Sequence, residues 1–509
     1  MQLAKKIIDK IDVNKVSVPS GDYLSYPEKV LQFGTGVLLR GLPDYFIDKA
    51  NKQGKFCGRV VVIKSTATGG TDAFEKQDGL YTLCVRSLEN GKKVEEDIVI
   101  GAVSRVLSAR EEWDKIISCA ADPQIELIIS NTTEVGIVLD VEDNIIATPP
   151  QSFPGKLLAI LYERYKKFNG DPEKGMVIIP TELITNNGDK LKAIVIDLAD
   201  LNNLEVDFTD WLNKYNHFCN SLVDRIVPGK LPSDKQAETC ERLGYMDELM
   251  IMSEVYRLWA IETSDEKVKN VLSFATADNG VVLTKNIEAY RELKLRLLNG
   301  SHSFTCGLAV MAGFKTVLEA MEDDAFNAFI TKLAKEEIAD SIQSDDIKPE
   351  DILNFASVVL DRFRNPFIEH RWLSITMQYS SKMQMRNVPL IIEYIKRHDI
   401  APRLMALGFA AYILFMRSEQ QADETFKGEL NGEKYTINDD KAAILHEHWK
   451  NGEANVVKSV LSDEELWACN LSSLNGFQEK VETYLHQLIN EGAATVLEKL
   501  INPVKVSIE

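Results

Sequence analysis

Three side chains that can do chemistry together lie in one short stretch of the chain, residues 294–307. The stretch reads KLRLLNGSHSFTCG and places Lys294, Asn299 and His302 among apolar and small residues. If the stretch is an α-helix, Asn299 and His302 lie about 140° and about 80° around its axis from Lys294, so the three share one broad face. Because helical side chains lean towards the helix N-terminus, Asn299 and His302 tilt back towards the long lysine.

These residue types suit proton transfer at a carbonyl group. A lysine near apolar groups can have its pKa lowered towards neutrality, where it donates and accepts a proton. An asparagine beside it can polarise a carbonyl oxygen. The same spacing also suits a core helix in which the histidine is hydrogen-bonded and the lysine reaches out to solvent.

The composition is that of a globular chain large enough for two or more domains. Of its 509 residues, 45% are hydrophobic and 27% are charged. The net charge of −19 disfavours nucleic acid or an anionic membrane as the main partner. An anionic substrate therefore needs a local group of positive charges.

Cysteine usage and hydropathy indicate a cytoplasmic protein. The seven cysteines are scattered and include no Cys-x-x-Cys pair, which is typical of reduced thiols. The N-terminus lacks the apolar core of a signal peptide. The most apolar run, residues 404–416, is too short to cross a bilayer and predicts a buried helix.

An apolar segment, residues 29–33, runs into Gly34-Thr-Gly36, as at the start of a dinucleotide-binding unit. Such glycines permit a tight turn and the close approach of a pyrophosphate to a helix N-terminus. Leu39 replaces the usual third glycine, and Gly41 and Pro43 disfavour a long helix. The glycines of an ordinary turn would give the same pattern.

A second apolar strand is predicted at residues 59–65, and its end is where such folds read the cofactor ribose. An acidic residue is usual at that place, but this chain has Lys64. A lysine there could bind a 2′-phosphate or point to solvent, so Lys64 leaves the choice between NAD and NADP open.

Two more buried strands are predicted to end in polar residues. Residues 124–133 run into Glu134, and residues 175–183 lead to Asn187-Gly188. Ligands of open α/β sheets collect at the carboxyl ends of strands, so Glu134 and Asn187 are candidate site residues. A solvated glutamate and an ordinary Asn-Gly turn are the alternatives. Residues 207–224 predict a further amphipathic helix.

The second part of the chain is predicted to be mainly helical, with a domain boundary near residue 285. Residues 81–109 before it predict two or three strands with a hairpin at Asn90-Gly91, and residues 418–440 predict a polar loop or hairpin. Apolar residues recur at helical spacing in 286–321, 323–342, 350–362, 366–382, 387–398, 401–417, 440–450, 463–468 and 475–500.

Taken together, the motifs resemble those of the long-chain, polyol-specific dehydrogenases, the mannitol dehydrogenase family. Lys294-x4-Asn299-x2-His302 resembles the family's active-site signature. The likeness covers nearly the whole chain and includes Gly34-x-Gly36 with Arg40, Glu134-Val-Gly136, Asn187-Gly188, Val223-Asp224-Arg225-Ile-Val-Pro228, Arg362-Phe-Arg364-Asn365-Pro366 through His370, and Lys382 through Pro389.

The resemblance implies an α/β fold: an N-terminal Rossmann-like NAD-binding domain (1–285) followed by a mainly α-helical domain (286–509), with the active site between them. It implies reversible hydride transfer between NAD and a ketone of a sugar acid, without a metal. Lys294 would be the general acid and base, and His302 would position a hydroxyl group. The remaining implied roles are Asn187 and Asn299 on the reacting oxygen, Asp224, Arg364, His370 and Lys382 on the substrate, and Gly34, Gly36, Arg40, Lys64 and Glu134 on the cofactor.

The region 361–386 is the predicted place of a substrate carboxylate. Its cations are Arg362, Arg364, Arg371, Lys382 and Arg386, against the acids Asp361 and Glu369. Of these cations, Arg371 and Arg386 are interpreted as solvated surface residues. Lys382 could instead contact a sugar hydroxyl.

Other functions stay open at this point. A relative that reduces another keto acid, a polyol dehydrogenase, and a catalytically silent dinucleotide-binding protein would all share much of the pattern. A metal site is not predicted, because the close pair His446 and His448 has no third ligand nearby. The spacing of that pair suits one face of a strand.

Overall fold

The chain folds into two compact units. The computed structural model describes residues 1–65, 70–132, 136–343, 346–430 and 432–501. Met1–Ser87 and Lys93–Ile287 form the first unit, and Leu88–Lys92 and Glu288–Glu509 form the second. Among the described residues, no helix is both long and apolar enough to cross a membrane.

The first unit is built on a parallel sheet whose strand order is that of a dinucleotide-binding fold. Its main sheet has the order β5-β2-β1-β6-β7-β8, and all neighbouring strands run parallel. The strands are β1 (Glu28–Phe33), β2 (Arg59–Lys64), β3 (Tyr81–Glu89), β4 (Lys92–Ile100), β5 (Val103–Ser108), β6 (Leu127–Ser130), β7 (Val177–Pro180), β8 (His217–Phe218), β9 (Ser221–Asp224), β10 (Ile251–Ser253), β11 (Leu258–Glu262) and β12 (Val281–Thr284).

Side chains of alternate residues along each central strand enter two different cores. Val60 and Val62 pack with Phe46 on one face, whereas Val61 and Ile63 pack with side chains such as Leu157 on the other. Both faces of a parallel sheet are covered in this way, which explains the continuous apolar run of β2. The helices are α1 (Val37–Gly41), α2 (Pro43–Lys52), α3 (Asp72–Lys76), α4 (Trp113–Cys119), α5 (Phe153–Lys167), α6 (Asn187–Leu201), α7 (Val206–Tyr215), α8 (Ser233–Leu243) and α9 (Glu266–Val271).

Two small sheets accompany the parallel one, with the strand orders β10-β3-β4 and β12-β11-β9. The predicted hairpin is confirmed: β3 and β4 flank Asn90 and Gly91, whose φ angles are 53° and 70°. Positive φ at both central residues is the geometry that an Asn-Gly hairpin turn requires.

The prediction of one helix over residues 207–224 is wrong. Helix α7 ends at Tyr215, and the chain then forms β8 and β9. Asn216 marks the change, because its side chain accepts a hydrogen bond from the Met176 backbone and donates one to the Trp211 carbonyl. The backbone beyond it pairs with β7 and β11, and these long-range pairings outweigh the local helical pattern.

The second unit is mainly helical and is organised around a buried central helix. Its helices are α10 (Glu288–Leu293), α11 (Ser301–Met311), α12 (Val317–Glu322), α13 (Asp324–Lys332), α14 (Ala339–Ser341), α15 (Pro349–Phe363), α16 (Trp372–Ile375), α17 (Tyr379–Lys382), α18 (Val388–His398), α19 (Arg403–Phe415), α20 (Ala442–Lys450), α21 (Glu453–Leu461), α22 (Glu464–Trp467), α23 (Phe477–Glu491) and α24 (Ala493–Ile501). Almost every residue of α19 is buried, which confirms the prediction for residues 404–416.

Within the described part of this unit, three π-helical segments interrupt the helices: π1 (Lys294–Gly300), π2 (Leu333–Ile338) and π3 (Met383–Asn387). Residues 366–382, predicted as one helix, form only the short α16 and α17, and α21 is not in the predicted set. Strands β13 (Glu419–Gln420), β14 (Phe426–Leu430) and β15 (Glu433–Ile437) make the predicted hairpin region a small sheet.

Candidate active site

The stretch that carries Lys294 and Asn299 is a π-helix rather than the predicted α-helix. Backbone hydrogen bonds in a π-helix join residues five apart, so Asn299 lies about one turn beyond Lys294. The α-helical angle of about 140° between them does not apply, and the two side chains lie closer to one side of the axis. Both residues are partly buried, and α11 continues the helix through His302.

Side chains from both π1 and π3 bond the backbone of the opposite segment. Arg296 Nη1 donates to the carbonyl oxygens of Met385 and Arg386, at 2.6 and 2.9 Å. Asn387 Nδ2 donates to the Gly300 carbonyl oxygen at 3.0 Å. These bonds tie π1 to π3 and so fix the segment that carries Lys294 and Asn299.

A close helix contact fixes α11 behind the site. A β-carbon added to Gly408 of α19 would lie 2.6 Å from the Phe304 carbonyl oxygen. Tyr379 OH accepts a hydrogen bond from the Gly307 backbone at 3.2 Å. Glycine at position 408 therefore allows the approach of α19 to the helix that carries His302.

His302 is buried in an aromatic box and lacks a partner for one nitrogen. Its ring stacks on Phe363, with centroids 4.1 Å apart, and meets the edges of His370 and Trp372. Within the described residues, neither His302 Nε2 nor Trp372 Nε1 has a hydrogen-bond partner. A satisfied core histidine is therefore not what the structure shows.

Burial, with a smaller effect of nearby positive charges, keeps the His302 ring neutral. Burial lowers the His302 pKa well below its usual value, and the charges of His370, Arg362, Arg386 and Lys382 lower it further. Burial also lowers the pKa values of His370 and Lys382. We call Arg362, Lys382 and Arg386 the cationic group. It is the local concentration of positive charge that an anionic substrate needs in a chain of net charge −19.

The predicted carboxylate ligands differ in their surroundings. Arg364 Nη2 donates to Asn327 Oδ1 at 2.7 Å, and its Nη1 lies 3.9 Å from Asp361 Oδ1. Arg371 is exposed and pairs with Glu369, in agreement with its interpretation as a surface residue. The same interpretation of Arg386 is wrong, because Arg386 is partly buried and donates hydrogen bonds to the Asn299 carbonyl oxygen and Ser303 Oγ.

The two candidate asparagines are used very differently. Asn187 is fully buried; its Nδ2 donates to the carbonyls of Pro180, Glu182 and Ser221, and its Oδ1 accepts from Gly188 and Ser221. Its amide thus ties the start of α6 to β7 and β9. The side-chain amide of Asn299 makes no hydrogen bond to any residue that the structure describes. The reactive-oxygen role of Asn187 stays a prediction.

The carboxyl edge of the parallel sheet fits a dinucleotide. Gly34 has φ +125°, and a β-carbon there would lie 3.0 Å from the Asn131 carbonyl oxygen of the next segment. A β-carbon on Gly36 would meet nothing within 4 Å, which leaves the backbone open to a phosphate. Gly41 contacts Val227 closely and Leu39 is fully buried, so Gly41 allows the close packing usually given to the third glycine.

Other predicted cofactor and substrate residues take the following places. Lys64 ends β2 as predicted and is mostly buried. Asp224 ends β9 and is also buried. Glu134 lies outside the described residues. Arg40 is buried, donates to the Leu249 carbonyl at 2.7 Å and stacks over the Tyr81 ring, so its guanidinium contacts the core of its own unit.

A buried acid lies next to Arg40 and titrates near neutrality. Burial raises the Asp44 pKa to about 7, while Gln32 and Tyr81 donate hydrogen bonds that oppose the shift. Because the folded pKa exceeds the unfolded one, this acid contributes stability that is full below about pH 4 and is lost as the pH rises to about 7.

Replacing this acid with its neutral isostere should remove that pH dependence. The stability of Asp44→Asn relative to wild type is expected to be about 2–3 kcal/mol greater at pH 8 than at pH 5, because the folded carboxyl stays protonated over about two pH units, from 5 to 7, at about 1.4 kcal/mol per unit. Urea unfolding of both proteins at the two pH values measures the difference. If the stability difference between the variant and wild type is the same at both pH values, Asp44 is ionised in the folded protein from pH 5 to pH 8.

The histidine pair is not arranged as a metal site. His446 and His448 lie on α20, in agreement with the helix predicted for residues 440–450, and they bind the Ser418 carbonyl and Asp463 respectively. Among the described residues, no group of three or more His, Cys, Asp or Glu side chains could hold a metal ion. All seven cysteines are free thiols in this structure.

Two protein-family models match the chain. Residues 28–272 match the mannitol dehydrogenase Rossmann domain, and residues 286–489 match the mannitol dehydrogenase C-terminal domain. Altronate oxidoreductase of Bacillus subtilis is 36% identical over 482 residues, which is 94% of this chain and 96% of that protein. Altronate oxidoreductase of Halalkalibacterium halodurans is 37% identical over 487 residues, or 94% of each chain.

Two solved structures share the fold. Pseudomonas fluorescens mannitol 2-dehydrogenase, solved as a ternary complex with NAD and D-mannitol, is 22% identical, with 99% of this chain and 100% of that chain covered and a TM-score of 0.66. D-sorbitol dehydrogenase in substrate-free form is 17% identical, with 98% and 100% covered and a TM-score of 0.76. Both confirm the predicted fold class.

Proposed function

This chain belongs to the mannitol dehydrogenase family, and on that premise we propose that it interconverts D-tagaturonate and D-altronate with NAD. It is a dehydrogenase that acts on CH–OH groups, as its altronate oxidoreductase relatives are. The observation that carries the choice of substrate is the cationic group around His302, because a neutral polyol has no need of it. A keto sugar acid supplies a carboxylate for the cations and a carbonyl for Lys294.

The chain's own residues handle the proton and the oxygen. When bound, NADH supplies the hydride for the carbonyl carbon. Lys294 donates a proton to the carbonyl oxygen during reduction and takes the hydroxyl proton back during oxidation. The unengaged amide of Asn299 donates a hydrogen bond to that oxygen as negative charge develops. His302, neutral and with an unpartnered Nε2, bonds a neighbouring hydroxyl. This division of work needs no metal ion.

In this proposal, the carboxyl edge of the parallel sheet holds the cofactor. Gly34 and Gly36 let the pyrophosphate approach the backbone, and Lys64 lies at the end of β2 where the ribose is read.

NADH should be preferred over NADPH, following the relatives, although Lys64 could itself bind a 2′-phosphate. The ratio of kcat/KM for the two cofactors measures the preference. In Lys64→Asp the residual activity with NADPH should fall further, because an acid repels the phosphate and accepts from the 2′-hydroxyl. A wild-type preference for NADPH that reverses in this variant would show instead that Lys64 selects NADP.

A substrate panel tests the proposed reaction. Purified protein with NADH is offered tagaturonate, fructuronate, tagatose and fructose, and the fall in absorbance of the reduced cofactor is followed. We expect the highest kcat/KM with tagaturonate. Preference for fructuronate would make the chain a fructuronate reductase, preference for the neutral ketoses a polyol dehydrogenase, and cofactor binding without turnover a silent binding protein.

A further inference from the structure

Arg386 presents a guanidinium to the site without an acidic partner. Its Nη1 donates to Ser303 Oγ at 3.2 Å and to the Asn299 carbonyl oxygen at 3.5 Å. Asn299 lies between Lys294 and His302 in the chain, and Ser303 directly follows His302. Among the residues that the structure describes, Arg386 forms no ion pair with an aspartate or glutamate.

Several other arginines of this unit lie near an acid. Arg296 pairs with Glu292 at 2.8 Å, Arg371 pairs with Glu369 at 2.7 Å, and Arg364 lies 3.9 Å from Asp361. Taking a charge out of water is costly unless an opposite charge compensates it. Arg386 is partly buried and has no such acid among the described residues. A bound anion would compensate its charge.

Lys382 lies one turn before Arg386 and adds to the same positive field. Its Nζ donates to the Ile375 carbonyl at 2.8 Å, and the neighbouring Arg386 charge lowers the Lys382 pKa after the larger effect of burial. A guanidinium offers two parallel N–H groups that match the two oxygens of a carboxylate, which a lysine cannot do. Arg386 can thus bind both oxygens of a carboxylate, and Lys382 adds a second positive charge.

We propose that Arg386 binds the carboxylate of the sugar-acid substrate and selects it over neutral ketoses, with Lys382 as the supporting charge. This inference rests on the proposed function. It moves the main carboxylate contact from Arg364, which is engaged by Asn327 and Asp361, to a residue that touches the carbonyl of the catalytic Asn299.

Steady-state kinetics on an acid and a neutral substrate test the inference. Arg386→Met should lower kcat/KM for tagaturonate about 10- to 150-fold, mainly through KM, because a charge-assisted hydrogen bond to the carboxylate is lost. The value for D-tagatose should change less than about threefold, within the scatter expected for a group that does not touch it. If tagatose turns over too slowly, its inhibition constant replaces kcat/KM. Arg386→Lys should lose less on tagaturonate than Arg386→Met.

Matched variants separate recognition from folding. Arg371 is exposed and pairs with Glu369, so Arg371→Met should leave kcat/KM for both substrates unchanged. Arg364→Met should affect both substrates alike, and a selective loss on tagaturonate as large as that of Arg386→Met would assign the carboxylate to Arg364. The inference would be overturned if Arg386→Met and Arg386→Lys lowered kcat/KM equally on both substrates, with or without a lowered melting temperature. Arg386 would then be a structural residue.

The wild-type panel keeps the two proposals apart. If the wild type acts on tagaturonate and Arg386→Met loses kcat/KM equally on tagaturonate and tagatose, the role of Arg386 is overturned and the proposed function stands. Activity on another keto acid overturns the proposed substrate, and a selective loss on that acid still supports Arg386. Wild-type activity on neutral ketoses alone overturns both.

Discussion

Lys294→Met is expected to lower kcat by at least about 10²-fold while cofactor binding stays nearly unchanged. Methionine keeps the length and apolar character of the lysine stem but cannot give or take a proton, and loss of a positioned acid–base group typically costs about 10²–10⁴-fold. The cofactor is predicted to bind at the sheet edge of the other unit, so its dissociation constant should be insensitive to the change. Pre-steady-state hydride transfer and cofactor fluorescence titration measure the two quantities.

The control for this variant is an exposed lysine of the same unit. Lys396→Met removes a charge that pairs with Glu393 on the surface of α18 and should leave kcat unchanged. A deuterated hydride donor should show a primary isotope effect in Lys294→Met, which makes chemistry the measured step. If that variant retains more than about a tenth of wild-type kcat under this condition, Lys294 is not the proton donor.

Much of the first unit could be predicted from local sequence. Strands β2, β6 and β7 lie inside predicted apolar runs, and β1 begins one residue before its predicted run, because strands buried on both faces carry continuous apolar residues. The glycine pattern predicted the turn after β1, and Gly34 indeed adopts positive φ. The family that the motifs resemble is confirmed by the two family models and by the altronate oxidoreductase relatives.

The π-helical geometry of the candidate site could not be predicted in the same way. Apolar spacing over 286–321 is that of an α-helix, and nothing local chooses a wider turn at Lys294–Gly300. The choice depends on partners about ninety positions away in the chain, through the bonds of Arg296 to the Met385 carbonyl and of Asn387 to the Gly300 carbonyl. Only tertiary packing brings these groups together, so periodicity alone gave the wrong angle between Lys294 and Asn299.

Arg386 shows the same limit for charged residues. Charge counting found an excess of cations in 361–386 but could not tell which were matched by local acids. The signal that was available is spacing: Arg386 follows Lys382 by four residues inside one motif block, which places both on one helix face. The structure adds what the spacing lacks, namely that Arg364 and Arg371 have acidic neighbours.

Asn299→Ala and Asn187→Ala should separate catalysis from folding. The amide of Asn299 makes no hydrogen bond to a described residue, so its loss should leave the melting temperature unchanged and lower kcat/KM about 10²–10³-fold, as for a donor to a developing oxyanion. The amide of Asn187 satisfies the backbone N–H groups of Gly188 and Ser221 inside the protein. Leaving these unpaired should cost at least about 2 kcal/mol of unfolding free energy.

Kinetics and urea unfolding on both variants decide the assignment. A folded Asn187→Ala protein with near-normal kcat would make Asn187 a structural residue, whereas a loss of kcat equal to that of Asn299→Ala would place both amides on the reacting oxygen. Destabilised Asn299→Ala with unchanged kcat would contradict the role proposed for Asn299. Because the two residues lie in different units and share no partner among the described residues, the stability changes should add in the double variant within about 0.5 kcal/mol. If both amides contact one oxygen in the transition state, the loss of log kcat in the double variant should be smaller than the sum of the losses in the two single variants.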